Sequence, residues 1–449
     1  MIVENKKEAQ DEQFENAESI VFAADITNEE ANLFQLLKEI QGKRLISPEV
    51  KGYQDFLAAY SSSSGYQVFK GSIDALATSD IVISLGVWFQ DQGEDTTLFA
   101  HKIIEETMPK FVYMHPIEDV TLERDVTQFI KYEVGSEEGV AALLAYTLLQ
   151  NRTIPEDIEE VLEDFDIGYL SAESNVGEEE LESMYESIHQ RSRISLIVGS
   201  DLYTHPKAGQ IAKLIALLEL YAGVNVVCIP PAKNALGIAM ACQIDNEAEG
   251  QTLFYESCKE GTFVNANKYV SMGYDKQLTD IEGLNSIASS VGLHEDDLAG
   301  YSNRLPQEQG FQAIDSGLND FPVYKLGLQD RCKEFTLDEI DYLPVYDGAL
   351  VYTYKVKRTA DNDEKSVDVL KGSKQFALAT KLQDGDQITY EVGGVKFIRV
   401  FKIDTHLKGV IALNPVFDIK LSADLISSYR FSRLAFEKIN NQNIGNNDE

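Results

Sequence analysis

The sequence predicts an α/β protein, two Rossmann-like α/β domains followed by a small β-barrel. Three observations carry that prediction. Ser195 to Gly237 parses as strand, loop, helix, strand, loop. Ser79 to His115 repeats the pattern, and from Gly348 to Ile419 the apolar period changes from helical to two. In SLIVGSDLYTHPKAGQIAKLIALLELYAGVNVVCIPPAKNALG, Leu196 to Val198 is an apolar run ended by Gly199, and Pro206 falls in the first helical turn. Ile211, Leu214, Ile215 and Leu218 give the helix one buried stripe, and Gly223 stands where a left-handed helix end favours glycine. Val224 to Ile229 is the second β-run, stopped by Pro230 and Pro231. Parallel pairing of the two strands with the helix on one face satisfies both patterns.

In chain order, residues 1–16 read as a disordered acidic tail. A first α/β domain spans 17–150. It opens with the strand Ser19 to Ala24, then Thr27 and Glu30 form a capping box for a helix whose core face is Leu33, Phe34, Leu36, Leu37 and Ile40, ended by Gly42. A short helix over Gly71 to Thr78 precedes the strand Ser79 to Gly86, a loop VWFQDQGED, a helix from Thr96 to Thr107 and the strand Phe111 to His115. Ser136 caps a helix with Val140, Leu143, Leu144 and Leu148 on one face. Residues 151–190 form an acidic linker and helix, with thirteen carboxylates and no Lys or Arg between Glu156 and Glu186. That run reads either as a solvated face or as a docking surface for a basic partner. The second α/β domain covers 191–300, with EGTFVNANKYV as strands and Thr279 and Glu282 as a capping box for a helix through Val291. A connection over 301–345 leads to the barrel at 346–422, where ALVYTYKV, QFALATKL, DQITYEV, GVKFIRVFKI and GVIALNPVFDI read as β-rich runs, with turns at Asp384 to Asp386 and at Gly393 and Gly394. Residues 423–449 read as a terminal helix over Leu425 to Ile439 and a disordered tail.

Composition excludes several functions. The 449 residues are 44% apolar, enough for ordinary cores, and 39 basic against 74 acidic side chains leave a net charge of −35, which repels nucleic acid and anionic lipid. No apolar run is long enough to span a membrane, and the first residues lack the apolar core of a signal peptide. Cys228, Cys242, Cys258 and Cys332 are scattered, without the spacing of a zinc or iron–sulfur ligand pair, and the six histidines form no HExxH or HxH pair. No GxGxxG, P-loop or GxSxG is present. Asp201 beside His205 admits an acid/base role, but a hydrogen bond at the start of the helix is the plainer account.

Taken in order, the segment from Ser195, EGTFVN at Glu260 to Asn265, and the DIEGLNSIASSVGL helix resemble the second α/β half of the molybdopterin oxidoreductase family, in particular the branch forming the large G subunit of bacterial respiratory complex I (NADH-quinone oxidoreductase). Thr27 to Glu30 is similar to the family's SNEE-type helix start, LISPEVKGYQDFL to the segment after it, and the loop after Gly86 to one that lies against a dinucleotide arm of the pterin. The barrel resembles the double-psi barrel that ends these proteins. The departures are as informative. The family's cysteine-rich cluster module has no counterpart here, Leu45 and Ile46 stand where a soft metal ligand is needed with Ser47 the only substitute, and Val87, Trp88 and Phe89 crowd a turn that wants small residues. Thr262 and Asn265 match the family's GTFxN turn, which lies in its cleft, or simply satisfy backbone groups at strand ends.

The resemblance implies a cofactor-free structural scaffold in the complex I peripheral arm, beside electron-carrying subunits. It implies no catalytic, cofactor-binding or metal residues in this chain, other arm subunits as partners, and a cytoplasmic location peripheral to the inner face of the cell membrane. The alternative is a molybdopterin-type oxidoreductase, or another cleft ligand-binding redox protein.

Overall fold

The computed structural model describes residues 13–90, 95–188, 192–255, 261–272, 311–314, 323–327, 330, 333, 335–340, 342–356, 369–417 and 428–439. The chain divides into two units, each discontinuous in sequence: 1–74 with 227–335, and 75–226 with 336–449. It is a mixed α/β protein with parallel sheets and one curled sheet that makes half a barrel.

The first unit is built on three parallel strands, β1 (Ser19–Phe22), β2 (Arg44–Ile46) and β8 (Thr252–Tyr255), in the order β2-β1-β8. Helix α1 (Asn28–Gln41) starts at the expected capping box, where Thr27 accepts from the Glu30 N–H and Glu30 from the Thr27 N–H, and ends on Gly42 at φ 71°. Helix α2 is Pro48–Ser64, and α9 (Ala235–Ala241) packs on both. Residues 13–16, expected to end a disordered tail, are helical. Phe14 is buried and lies 6.2 Å from the Phe34 ring and 5.7 Å from Tyr255, so this turn is anchored by one aromatic side chain. Two short antiparallel pairs complete the unit, β9 (Thr262–Val264) with β10 (Val270–Met272) and β11 (Phe311–Ile314) with β12 (Val323–Leu326). The capping box at Thr279 and its helix, Cys258, Cys332 and the final ten residues lie outside the described residues.

The second unit carries a five-stranded sheet in the order β5-β4-β3-β6-β7, from β3 (Ile81–Leu85), β4 (Lys110–Met114), β5 (Gln128–Ile130), β6 (Ile194–Val198) and β7 (Asn225–Cys228). β3 pairs in parallel with both β4 and β6. The sequence division at 150 and 191 separates β3 from β6; here they are neighbours in one sheet. Helices α3 (Asp95–Thr107), α4 (Glu137–Leu149) and α8 (Ala208–Leu217) belong to this unit, and α4 is buried on nearly every side. Ser136 makes no side-chain cap for α4; its hydroxyl donates to the Glu133 carbonyl instead. The acidic stretch folds as α5 (Glu156–Glu163), α6 (Ile167–Ser174) and α7 (Glu178–Glu186), with Ile158, Leu162, Leu170, Leu181 and Met184 buried.

The half-barrel has the order β18-β13-β17-β14-β16-β15-β19. Its strands are β13 (Leu350–Val356), β14 (Val369–Gly372), β15 (Gln387–Val392), β16 (Val395–Ile403), β17 (Ile411–Phe417), β18 (Phe431–Arg433) and β19 (Glu437–Lys438). Val351, Leu370, Phe376, Ile388, Tyr390 and Phe401 fill its core. Two expectations fail here. QFALATKL is not a strand but helix α10 (Lys374–Thr380), started by Ser373, whose hydroxyl accepts from the Phe376 N–H, and ended at Lys381 in the left-handed conformation. The terminal helix expected over Leu425 to Ile439 is not formed in the described residues, 428–439: β18 and β19 close the two edges of the sheet, pairing antiparallel with β13 and β15.

Candidate functional site

In open parallel sheets, ligands bind beyond the carboxyl ends of the strands, where the strand order reverses. In the second unit the order reverses between β3 and β6, and those strands run into Gly86 and Gly199. The loops that follow clasp each other. The Gly199 N–H donates to the Leu85 carbonyl at 2.9 Å and the Asp201 N–H to the Gly86 carbonyl at 3.4 Å. A Cβ on Gly199 would lie 1.8 Å from the Gly86 oxygen, so only glycine allows so close a crossing. Val87, Trp88 and Phe89 are all buried.

Asp201 does not pair with His205. Its carboxylate lies 3.1 Å from His115 Nε2, at the end of β4, and accepts from the Tyr352 hydroxyl of β13 at 3.0 and 3.1 Å. The Ile117 N–H and carbonyl both meet His115 Nδ1, at 3.0 and 3.1 Å, while Nε2 faces a carboxylate, which can only accept, and is the donor to Asp201. All three side chains are buried, and Trp88 packs on His115 at 5.4 Å and edge-on against Tyr352 at 5.7 Å. His205 belongs to a second group of the same make-up. The Lys207 N–H donates to its Nδ1, while Nε2 faces the Gly135 carbonyl at 3.1 Å and Glu137 Oε2 at 3.2 Å. The Tyr429 hydroxyl donates to Glu137 Oε1 and accepts from the Gly135 N–H. Burial, aided by the Glu137 carboxylate, raises the Tyr429 phenol well above its ordinary range, so it remains a donor.

Each group thus joins an acid and a histidine of the α/β part to a tyrosine of the half-barrel. The first group is fully buried and Tyr429 of the second is half-buried, and each group clasps the half-barrel to the α/β part. Sequence distance hid them: Asp201 is 86 residues from His115 and 151 from Tyr352. The placement of His115 at the end of one β-run and of Tyr352 within another was the available signal.

In the first unit, Leu45 and Ile46 are buried in β2, and Ser47 is fully buried at the start of α2 with no partner for its hydroxyl among the described residues. The GTFVN segment docks on α1. Thr262 donates from its N–H and hydroxyl to Glu29, Asn28 donates to the Thr262 hydroxyl, and Asn234 joins Asn28 to the Ile26 carbonyl and the Val264 N–H. Burial raises the Glu29 carboxyl above its usual range. Asn265 accepts from the Tyr269 N–H within its own turn. These residues satisfy backbone and helix-start groups.

A pterin with a dinucleotide arm would need bare amides and small residues after β3. The packed Val87, Trp88 and Phe89 do not fit such an arm at this loop, and a lone serine hydroxyl beside Leu45 and Ile46 offers no soft ligand. Cys228 and Cys242 are buried, and burial pushes the Cys242 thiol far up, so it is an inert reduced thiol.

No protein-family model matches the chain, and no curated protein matches it by sequence. Among solved structures it is similar to acetylene hydratase from Pelobacter acetylenicus, at 9% identity and a TM-score of 0.63, over 92% of this chain and 81% of that one. The likeness supports a molybdopterin-oxidoreductase-like fold. Among the described residues, no helix is long and apolar enough to cross a membrane.

Proposed function

We propose that the chain is a scaffold of the molybdopterin-oxidoreductase type, which keeps the fold of a redox enzyme and supports electron-carrying partners without holding a pterin. The observation that carries this is the filled strand-end crevice of the second unit, where Trp88, His115, Asp201 and Tyr352 are packed against one another. A place in the peripheral arm of an NADH-quinone oxidoreductase, at the cytoplasmic side of a membrane, is the finer form of the proposal. It rests on the sequence motifs alone.

The competing reading, a redox protein that still takes a pterin-type ligand, is favoured by the fold likeness and by the unpartnered Ser47 hydroxyl. The two separate in one preparation. Chain purified from its native cells is analysed for molybdenum, tungsten and iron, and for the fluorescence of pterin released on denaturation. The scaffold reading expects none at stoichiometric level. Stoichiometric metal with released pterin sinks it, and loss of that metal in Ser47→Ala would transfer the role to the Ser47 hydroxyl.

A further inference from the structure

We propose that His101, Glu105 and Asp125 form a binding site for a first-row divalent cation of the zinc class. His101 and Glu105 are one helical turn apart on α3, so their side chains share a face. Asp125 reaches them from the turn that follows the short helix Val120–Leu122. One ligand atom from each of the three lies within 4.8 Å of the other two.

The geometry is close to that of a bound site. Tetrahedral zinc, with bonds of about 2.1 Å, separates its ligand atoms by roughly 3.4 Å. His101 Nε2 and Asp125 Oδ2 are hydrogen-bonded at 3.1 Å, a contact in which the ion would take the place of the shared proton, and the exposed Glu105 side chain closes the third side. The imidazole is held for the purpose: the Phe89 ring meets it edge-on at 5.7 Å, and both His101 and Asp125 are largely shielded, at 18% and 16% exposure. Lys102 turns to Glu106, leaving Glu105 without that competitor. One imidazole and two carboxylates select zinc, manganese, cobalt or nickel over magnesium and calcium, which prefer all-oxygen shells. The neutral imidazole binds through Nε2 in its Nδ1–H tautomer, and the fourth position opens to water on the Glu105 side. Such an ion would tie α3 to the 119–126 turn, and through Phe89 to the loop after β3. It involves neither the buried clasps nor the pterin question.

The test uses the full chain without a polyhistidine tag, stripped with chelator and titrated with zinc chloride by calorimetry. One saturable zinc per chain is expected, with a rise in melting temperature. Magnesium at the same concentration should give neither. Loss of a direct ligand weakens binding at least as much as loss of an outer partner, roughly ten-fold or more, so Glu105→Gln, His101→Ala and Asp125→Asn should each do so. Glu105→Gln is at an exposed position and leaves folding intact. His406→Ala, which alters an exposed histidine beside Asp404, should bind like the wild type. Absence of saturable zinc binding, or binding untouched by both Glu105→Gln and His101→Ala, overturns the proposal.

Discussion

Gly199 has an ordinary backbone, φ −96°, so its requirement for glycine is a matter of space rather than torsion. A methyl group there meets the Gly86 backbone, which cannot step aside without parting β3 from β6. Gly199→Ala should therefore cost about 3 kcal/mol or more, the range of severe overpacking, read as a fall in the denaturation midpoint. Tyr352→Phe removes one hydroxyl and keeps the ring between Trp88 and Phe431. It leaves the buried Asp201 carboxylate with His115 as its side-chain donor and should cost about 1–3 kcal/mol. An unchanged midpoint would show that the clasp contributes nothing to stability. Little of this was legible beforehand. Asp201 and His205 were visible as neighbours in DLYTHP, yet each turned to a partner at long range, because a turn that follows a strand points successive side chains in different directions.

Among the elements, local signals that close within a few residues were the legible ones. The Thr27–Glu30 box, the αL glycines Gly42 and Gly223, the Gly385 turn and the apolar stripe of α8 are all formed as read. QFALATKL misled because Phe376, Leu378 and Thr380 alternate like a strand; in α10 Phe376 and Ala377 are buried and Leu378 is 80% exposed. The terminal segment misled because a helix needs no partner, whereas β18 and β19 exist only through the sheet edges they meet. Sheet membership was the hardest to read, since parallel strands leave no sequence mark of who pairs with whom. Asp245 illustrates how such elements are then tied. Its carboxylate accepts from the Leu45 N–H of β2 at 2.9 Å and from Lys38 of α1, and its own N–H donates to the Leu45 carbonyl. Burial acts to raise its pKa, but the Lys38 and Leu45 donors outweigh it and hold the carboxyl below the usual range. A depressed carboxylate contributes stability that is present above the unfolded value, near about 3.9, and lost as pH falls through the folded one. Asp245→Asn should cost about 1 kcal/mol at neutral pH, after allowing for its partial exposure. The gap from wild type should close on acidification below about pH 4; a gap that persists there assigns the effect to packing.

For the whole molecule the governing quantity is a net charge of −35, much of it on the surface of α5, α6 and α7. Of the thirteen carboxylates between Glu156 and Glu186, all but Glu180 are exposed, and Glu180 accepts from the Gly177 N–H at the start of α7. Like charges at this density repel one another in the compact state, and the repulsion is screened over about 8 Å at physiological ionic strength. Raising salt from about 0.02 to 0.2 M should therefore raise the melting temperature of the isolated chain. Under the scaffold proposal, salt has the opposite effect on assembly. Attraction between this face and a basic partner surface speeds association and is lost on screening, so binding to the proposed respiratory arm should weaken with the same salt step that stabilises the free chain. Replacing Glu178, Glu179, Glu182 and Glu186 by Gln separates the two effects, since none of them caps a helix or enters a core. The variant should melt no lower than wild type and bind more slowly at low salt. Equal association rates for both proteins, without salt dependence, would reduce the acidic helices to a solvated face and shift the search for a partner surface to the half-barrel.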